Sequence, residues 1–377
     1  MKFSLLNAVR NHPAHAYPLA EVHDDYISDA VLGEELGFIR SWYGEHHFRE
    51  CQWTGSPLLV ATSVAARTAT LRVGTAVALL PFHDPRRMAE DVAITDVLSH
   101  GRLDFGFGPG SQFEEFRSFG IPVSEMNGRM WESIDWIRQA FASTEEFDHH
   151  GTYYDIPNMT FTTKPVQEPL PMWCSAMGPK NQQRAAERGF NLIAPVNFGY
   201  DDALRAAGRD PAAHEVASMQ MICVADSADA GWDAAGAALE YFVNFYTQRR
   251  NLRGEPADPS ARITAQMIRD GNAGIWHAAV GTPEDVITAL TPIVTGRMGR
   301  ITELACAFRH PGMRTPETHK SMRLFAEQVR PALQEIEVEA AANPVPSGPP
   351  GGFGAPRRGG EPGRGRSASG PESAYAT

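Results

Sequence analysis

The chain reads as an α/β protein, a single (β/α)8 TIM barrel with insertions, followed by a C-terminal tail. Eight short strand-like runs alternate with helix-like runs, and that number in one chain fits a closed barrel better than an open sheet. A cluster of one acid and two imidazoles stands directly after the second run, at the end of a strand where a barrel places its active site. The strand-like runs are residues 2–7, 38–43, 71–80, 102–107, 171–176, 192–196, 218–225 and 301–308. After the first, a helix over 22–36 stops at Gly37, the residue type that most readily takes the left-handed conformation closing a helix. Helices over 57–67 and 85–98 each open on proline, which suits the first helical position. Stretches 126–142 and 181–188 carry helical periodicity. Pro283-Glu284-Asp285 begins another helix, with acids at the positive end of its dipole.

The spacing is uneven. About 65 residues separate the fourth strand from the fifth and about 75 the seventh from the eighth, far more than one crossover requires. The second interval holds Asn244-Phe245-Tyr246-Thr247-Gln248 and the Gly271-Asn272-Ala273-Gly274 break, and long insertions at this end of a barrel often cover substrate.

Of 377 residues, 42% are hydrophobic and 21% charged, enough for a sizeable core. A formal net charge of −11 argues against a nucleic-acid partner, which would call for a basic face. Cys51, Cys174, Cys223 and Cys306 are widely spaced and form no C-x-x-C pair, the pattern of reduced thiols. The opening residues lack the apolar run and cleavage site of a signal peptide, and no run approaches the roughly 18 apolar residues that cross a bilayer. A cytoplasmic location without membrane contact is expected. Composition changes near Asn343: 16 of the 34 residues over 344–377 are Pro or Gly, too little apolar surface to offset the entropy of ordering. The expected organisation is a barrel domain over 1–343 and a disordered tail over 344–377.

Four segments carry candidate chemistry. Gly44-Glu45-His46-His47-Phe48 offers groups that could bind a polar ligand or shuttle protons near neutrality. Leu71-Arg72-Val73-Gly74-Thr75-Ala76-Val77-Ala78 has small residues at its centre, which would let a flat ligand approach the backbone or would serve tight barrel packing. Gly106-Phe107-Gly108-Pro109-Gly110 follows a strand and could turn backbone N–H groups towards an anion, although it lacks the G-x-G-x-x-G spacing of a dinucleotide site. Trp173-Cys174-Ser175-Ala176-Met177-Gly178-Pro179-Lys180-Asn181 runs from a strand into a helix start, a natural phosphate position. A metal centre from His46, His47, His149 and His150 is disfavoured, because no ligand spacing links them.

Taken in order, Glu45-His46-His47-Phe48, Val73-Gly74-Thr75-Ala76, Ala89-Glu90-Asp91-Val92, Gly101-Arg102, Phe116-Arg117-Ser118-Phe119-Gly120, Ala185-Ala186-Glu187-Arg188-Gly189 and Val280-Gly281-Thr282-Pro283-Glu284 resemble the bacterial luciferase-like family of flavin-dependent monooxygenases, over about residues 1–337. The resemblance implies a two-component enzyme using FMNH2 and O2 through a flavin C4a-hydroperoxide to oxygenate a small organic substrate. A separate NAD(P)H-dependent flavin reductase would supply the reduced FMN. It further implies His46 as the catalytic base or acid with Glu45 or His47 orienting it, Ala76-Val77 beneath the flavin ring at the position of a non-prolyl cis peptide, and Glu115 near the pyrimidine edge. Gly178 and Asn181 fall on the phosphate side, together with Gly108 and Gly110. The helices over 57–67 and 85–98 correspond to the family's dimer face, so a homodimer is expected.

Departures restrict what carries over. Pro109 stands where the luciferases put an arginine on the phosphate, Gly178 replaces a hydroxyl residue, and Gly108 replaces their reactive cysteine. Light emission from a long-chain aldehyde is therefore not implied. Two other classes remain: related barrels that bind a deazaflavin and move hydride, which carry Asp-His where this chain has Glu45-His46-His47, and a noncatalytic flavin-binding partner subunit, against which the retained His46 argues.

Overall fold

The structure, a computed structural model, describes residues 1–14, 17–197, 199–274 and 277–342. The tail expected over 344–377 lies outside the described residues.

Among the described residues the strands are β1 (Lys2–Asn7), β2 (Arg40–Tyr43), β3 (Arg72–Thr75), β4 (Ala78–Leu79), β5 (Leu103–Gly108), β6 (Phe147–His150), β7 (Asp155–Met159), β8 (Met172–Ser175), β9 (Asn191–Ile193), β10 (Val216–Val224), β11 (Ala278–Gly281) and β12 (Glu303–Ala307). Eight of them close a parallel barrel in the order β1-β2-β3-β5-β8-β9-β10-β12, with β12 returning to β1 through pairs such as Lys2 with Glu303. All eight expected runs contain a barrel strand, most with ends shifted by a few residues. The helices are α1 (Leu19–Glu35), α2 (Pro57–Ala65), α3 (Pro85–Leu98), α4 (Phe113–Phe119), α5 (Met126–Ala142), α6 (Pro179–Arg188), α7 (Tyr200–Ala206), α8 (Ala228–Thr247), α9 (Ala265–Arg269), α10 (Pro283–Val294), α11 (Thr315–Leu324) and α12 (Arg330–Ala342). Most of them wrap the barrel, and the main core lies between strands and helices, with Leu5, Phe105, Phe107, Leu192, Ile222 and Leu304 buried in it.

Three features depart from the sequence reading. The run over 71–80 is not one strand: β3 stops at Thr75, the Ala76–Val77 peptide is cis, and the chain resumes as β4 beside β5. The long fourth interval contains the antiparallel hairpin of β6 and β7. The long seventh interval contains α8, α9 and β11, and β11 pairs with the C-terminal half of β10 after β9 has paired with its N-terminal half.

The N-terminal ends of the strands are plugged by charge. Asp104 accepts from Arg40 Nε at 2.7 Å and Arg72 Nε at 2.6 Å, while Arg40 also pairs with Glu303. Trp42 Nε1 donates to Glu303 at 2.8 Å and Trp173 Nε1 to Asp104 at 3.1 Å, so the buried charges are hydrogen-bonded as well as paired. This closes the floor of the barrel and leaves the opposite mouth for chemistry.

Candidate active site

β2 ends at Tyr43, and Gly44 to Phe48 leave it at the C-terminal mouth. In extended chain, side chains alternate in direction, so Glu45 and His47 fall on one side and His46 on the other. His46 is buried, and its Nδ1 lies 2.9 Å from Glu115 Oε1 on α4, while Nε2 lies 3.2 Å from the Tyr246 hydroxyl at the end of α8. The same Glu115 oxygen accepts the His47 backbone N–H at 2.8 Å. These contacts assign the tautomer: Nδ1–H donates to the carboxylate, and Nε2 accepts from the phenol. Burial pushes the His46 pKa below its ordinary value against the opposing pull of Glu115, so the ring is neutral at pH 7. Burial also pushes the Tyr246 pKa up to about 12, which keeps the phenol a donor.

Glu45 therefore does not orient His46, and neither does the His47 side chain. Glu45 Oε1 accepts from Nε2 of His47 and from Nε2 of His83, both at 2.6 Å, and its Oε2 accepts the Leu79 N–H at 3.0 Å. Burial raises its pKa, but the two imidazoles outweigh that and hold it at about 2. The group ties the loop after β2 to the segment after β3. It is also the one set of three possible metal ligands found among the described residues, with ligand atoms within 4.8 Å of one another. The four histidines weighed from sequence are not assembled: His149 faces Glu132 at 3.2 Å and His150 faces Asp155 at 2.6 Å.

The expected flavin-side residues line the same mouth. Ala76 and Val77 form a half-buried ledge between β3 and β4. Gly108 ends β5 against it; a Cβ there would fall 2.6 Å from Val77 Cγ2, so a side chain would crowd the ledge. Gly110, at φ +82°, turns the chain towards α4. Gly178 caps α6 without a side-chain bond, and Asn181 in its first turn donates to Asn127 at 3.4 Å. Gln112 is buried, and among the described residues neither its Oε1 nor its Nε2 has a partner; the same holds for Glu115 Oε2.

Sequence reasoning assigned no individual role to Tyr246, Trp53, Phe245, His83 or Arg10, although it expected pocket residues from variable stretches that include Arg10, Phe245 and Tyr246. Trp53 and Phe245 pack against the His46 ring with centroids at 4.5 and 5.2 Å. Phe245 and Tyr246 also fall in the long insertion before the last strand.

Comparison with known proteins gives the family. The family model described as luciferase-like monooxygenase matches residues 1–297. The alkanal monooxygenase alpha chain of Photorhabdus laumondii is 36% identical, with 89% of this chain and 98% of the relative covered. The oxygenase component of a flavin-dependent trigonelline monooxygenase from Acinetobacter baylyi is 26% identical, covering 85% of this chain and 92% of the relative. Among solved structures, the monooxygenase RslO1 from Streptomyces bottropensis superposes with a TM-score of 0.75 at 26% identity, covering 88% of this chain and 99% of that one. With the family model spanning most of its length, this chain belongs to the luciferase-like monooxygenases.

Proposed function

We propose that the protein is the oxygenase component of a two-component system, taking FMNH2 from a separate NAD(P)H-dependent reductase and using O2 to oxygenate a small organic substrate. The observation that carries the reading is the Tyr246–His46–Glu115 relay, buried at the barrel mouth beside the Ala76–Val77 ledge. The residues present fit a flavin. The ledge carries only the side chains of Ala76 and Val77 beside Gly108, and the unpartnered polar atoms of Gln112 and Glu115 suit the polar edge of an isoalloxazine. Gly110, Gly178 and Asn181, with the free end of α6, would hold the phosphate. Once bound, the reduced flavin would supply the electrons that activate O2.

The chain's own part is to manage protons and exclude water. Neutral His46 can take a proton at Nε2 and return it, and Glu115 stabilises the imidazolium in between. Trp53 and Phe245 keep solvent from the ring. Anaerobic titration with FMNH2, oxidised FMN and a reduced deazaflavin tests the proposal. Tighter binding of FMNH2 than of the other two is expected, and preference for the deazaflavin would replace oxygenation with hydride transfer.

A further inference from the structure

Arg10, three residues beyond β1, is buried at the same mouth, and among the described residues none of its Nε, Nη1 and Nη2 atoms has a hydrogen-bond partner. A guanidinium carries five N–H donors and a fixed charge, so leaving all of them unsatisfied away from water is costly. Aromatic faces offset part of that cost: the guanidinium carbon lies 4.2 Å from the Trp53 ring centroid, 4.7 Å from Phe242, 5.3 Å from Phe245 and 5.6 Å from Tyr241. Rings can attract the charge but cannot accept five hydrogen bonds. Asp25 and Asp29 on α1 are already engaged, since Arg309 donates to Asp29 at 2.5 and 2.7 Å and to Asp25 at 3.2 Å. A second cation, Arg49, sits 4.9 Å from the Phe245 ring and adds to the positive field. Trp53 and Phe245, which touch Arg10, are the rings that pack on His46, so the unsatisfied fork lies one ring away from the proton relay.

We infer that Arg10 anchors an anionic substrate, a flat carboxylate such as an aromatic acid, against the rings that separate it from His46. A carboxylate offers two oxygens at the spacing of the guanidinium fork, and the surrounding rings accept a flat apolar body. Calling that ligand the substrate rests on the monooxygenase reading above; the anion site itself does not.

The test uses the full-length, flavin-free chain, with benzoate and its neutral isostere benzamide as probes, followed by calorimetry and tryptophan fluorescence. Wild type should bind benzoate at least about tenfold more tightly than benzamide, the step that a charge-assisted pair is expected to give. Arg10→Met should abolish that preference by weakening benzoate alone, and its melting temperature should equal or exceed the wild-type value, because an unpaired buried charge is being removed. Arg10→Lys, which keeps the charge but loses the fork, should fall between the two and serves if the methionine variant does not fold. Equal affinity for the two probes, no benzoate binding by wild type, or undiminished benzoate binding in both variants would overturn the proposal. Loss of FMNH2 binding in Arg10→Met with benzoate binding unchanged would also overturn it, by assigning Arg10 to the cofactor. Benzoate discrimination in a protein that binds no flavin would instead leave the anion site standing and remove the monooxygenase reading.

Discussion

A neutral imidazole is the useful form of His46, and its two partners pull on that form in opposite directions. The Tyr246 hydroxyl donates to Nε2 and so favours the neutral ring, whereas Glu115 favours the protonated one. Burial dominates and sets the pKa below 6.5. Product formation should therefore hold steady above pH 6.5 and fall as pH drops through the lowered value, because protonation blocks the base. Tyr246→Phe should move this acid limb to higher pH, and Glu115→Gln should move it lower. A shift in the same direction for both variants would contradict the assigned roles. Replacing the ring outright, as in His46→Ala, should slow product formation by roughly 10² to 10⁴ in a folded protein, the usual contribution of a positioned acid or base. Flavin oxidation should continue and release H2O2 while substrate stays unmodified. Wild-type product yield from a stably folded variant would remove His46 from the mechanism.

Strands divide the labour along their length. Residues at or next to their starts, Arg40, Arg72, Asp104 and Glu303, form the charged floor, and their last residues lead into the relay. Asp104→Asn keeps the shape of the side chain but leaves Arg40 and Arg72 without the charge they share, so it should cost about 3 to 5 kcal/mol, the range for breaking a buried pair. Denaturant unfolding would show this as a lower midpoint, while activity per folded molecule stays near wild type; an unchanged midpoint would mean that water or rearrangement replaces the carboxylate. The barrel strands were legible because each is a short apolar run bounded by turn residues or a helix start, a local signal. β11 was not, since Ala278-Ala279-Val280-Gly281 has little β preference and becomes a strand only by pairing with β10. The site was half legible for the same reason. His46 announces itself beside Glu45 and His47, but its working partners lie 69 and 200 residues away, and no local pattern links Glu115 or Tyr246 to it. The sequence also drew attention to Glu45, the nearest acid, whereas the alternation of the extended chain turns that carboxylate to His47 and His83.

At the scale of the whole molecule, the outer surface of α2 and α3 carries apolar side chains that the barrel does not use. Leu59 on α2 is 70% exposed and Leu98 on α3 is 54% exposed, with Ile94 and Val97 exposed on the same helix. The two helices are neighbours, joined by the Thr62 hydroxyl donating to Thr95 at 3.3 Å. Single exposed leucines need no explanation, but four large apolar groups on adjoining helices make a face that water disfavours. Charged side chains border it, with Arg87 pairing with Glu90 and, at 3.1 Å, with Asp91, as expected of a polar rim around an apolar centre. A second copy of the chain could cover this face through a two-fold axis that places the same helices on both sides. We therefore expect a homodimer in sedimentation velocity at micromolar concentration. Replacing Leu59 and Leu98 with Asp should convert it to a monomer without loss of helical signal, because neither side chain supports the barrel core. A monomeric wild type, or a double variant that stays dimeric, would place the contact elsewhere.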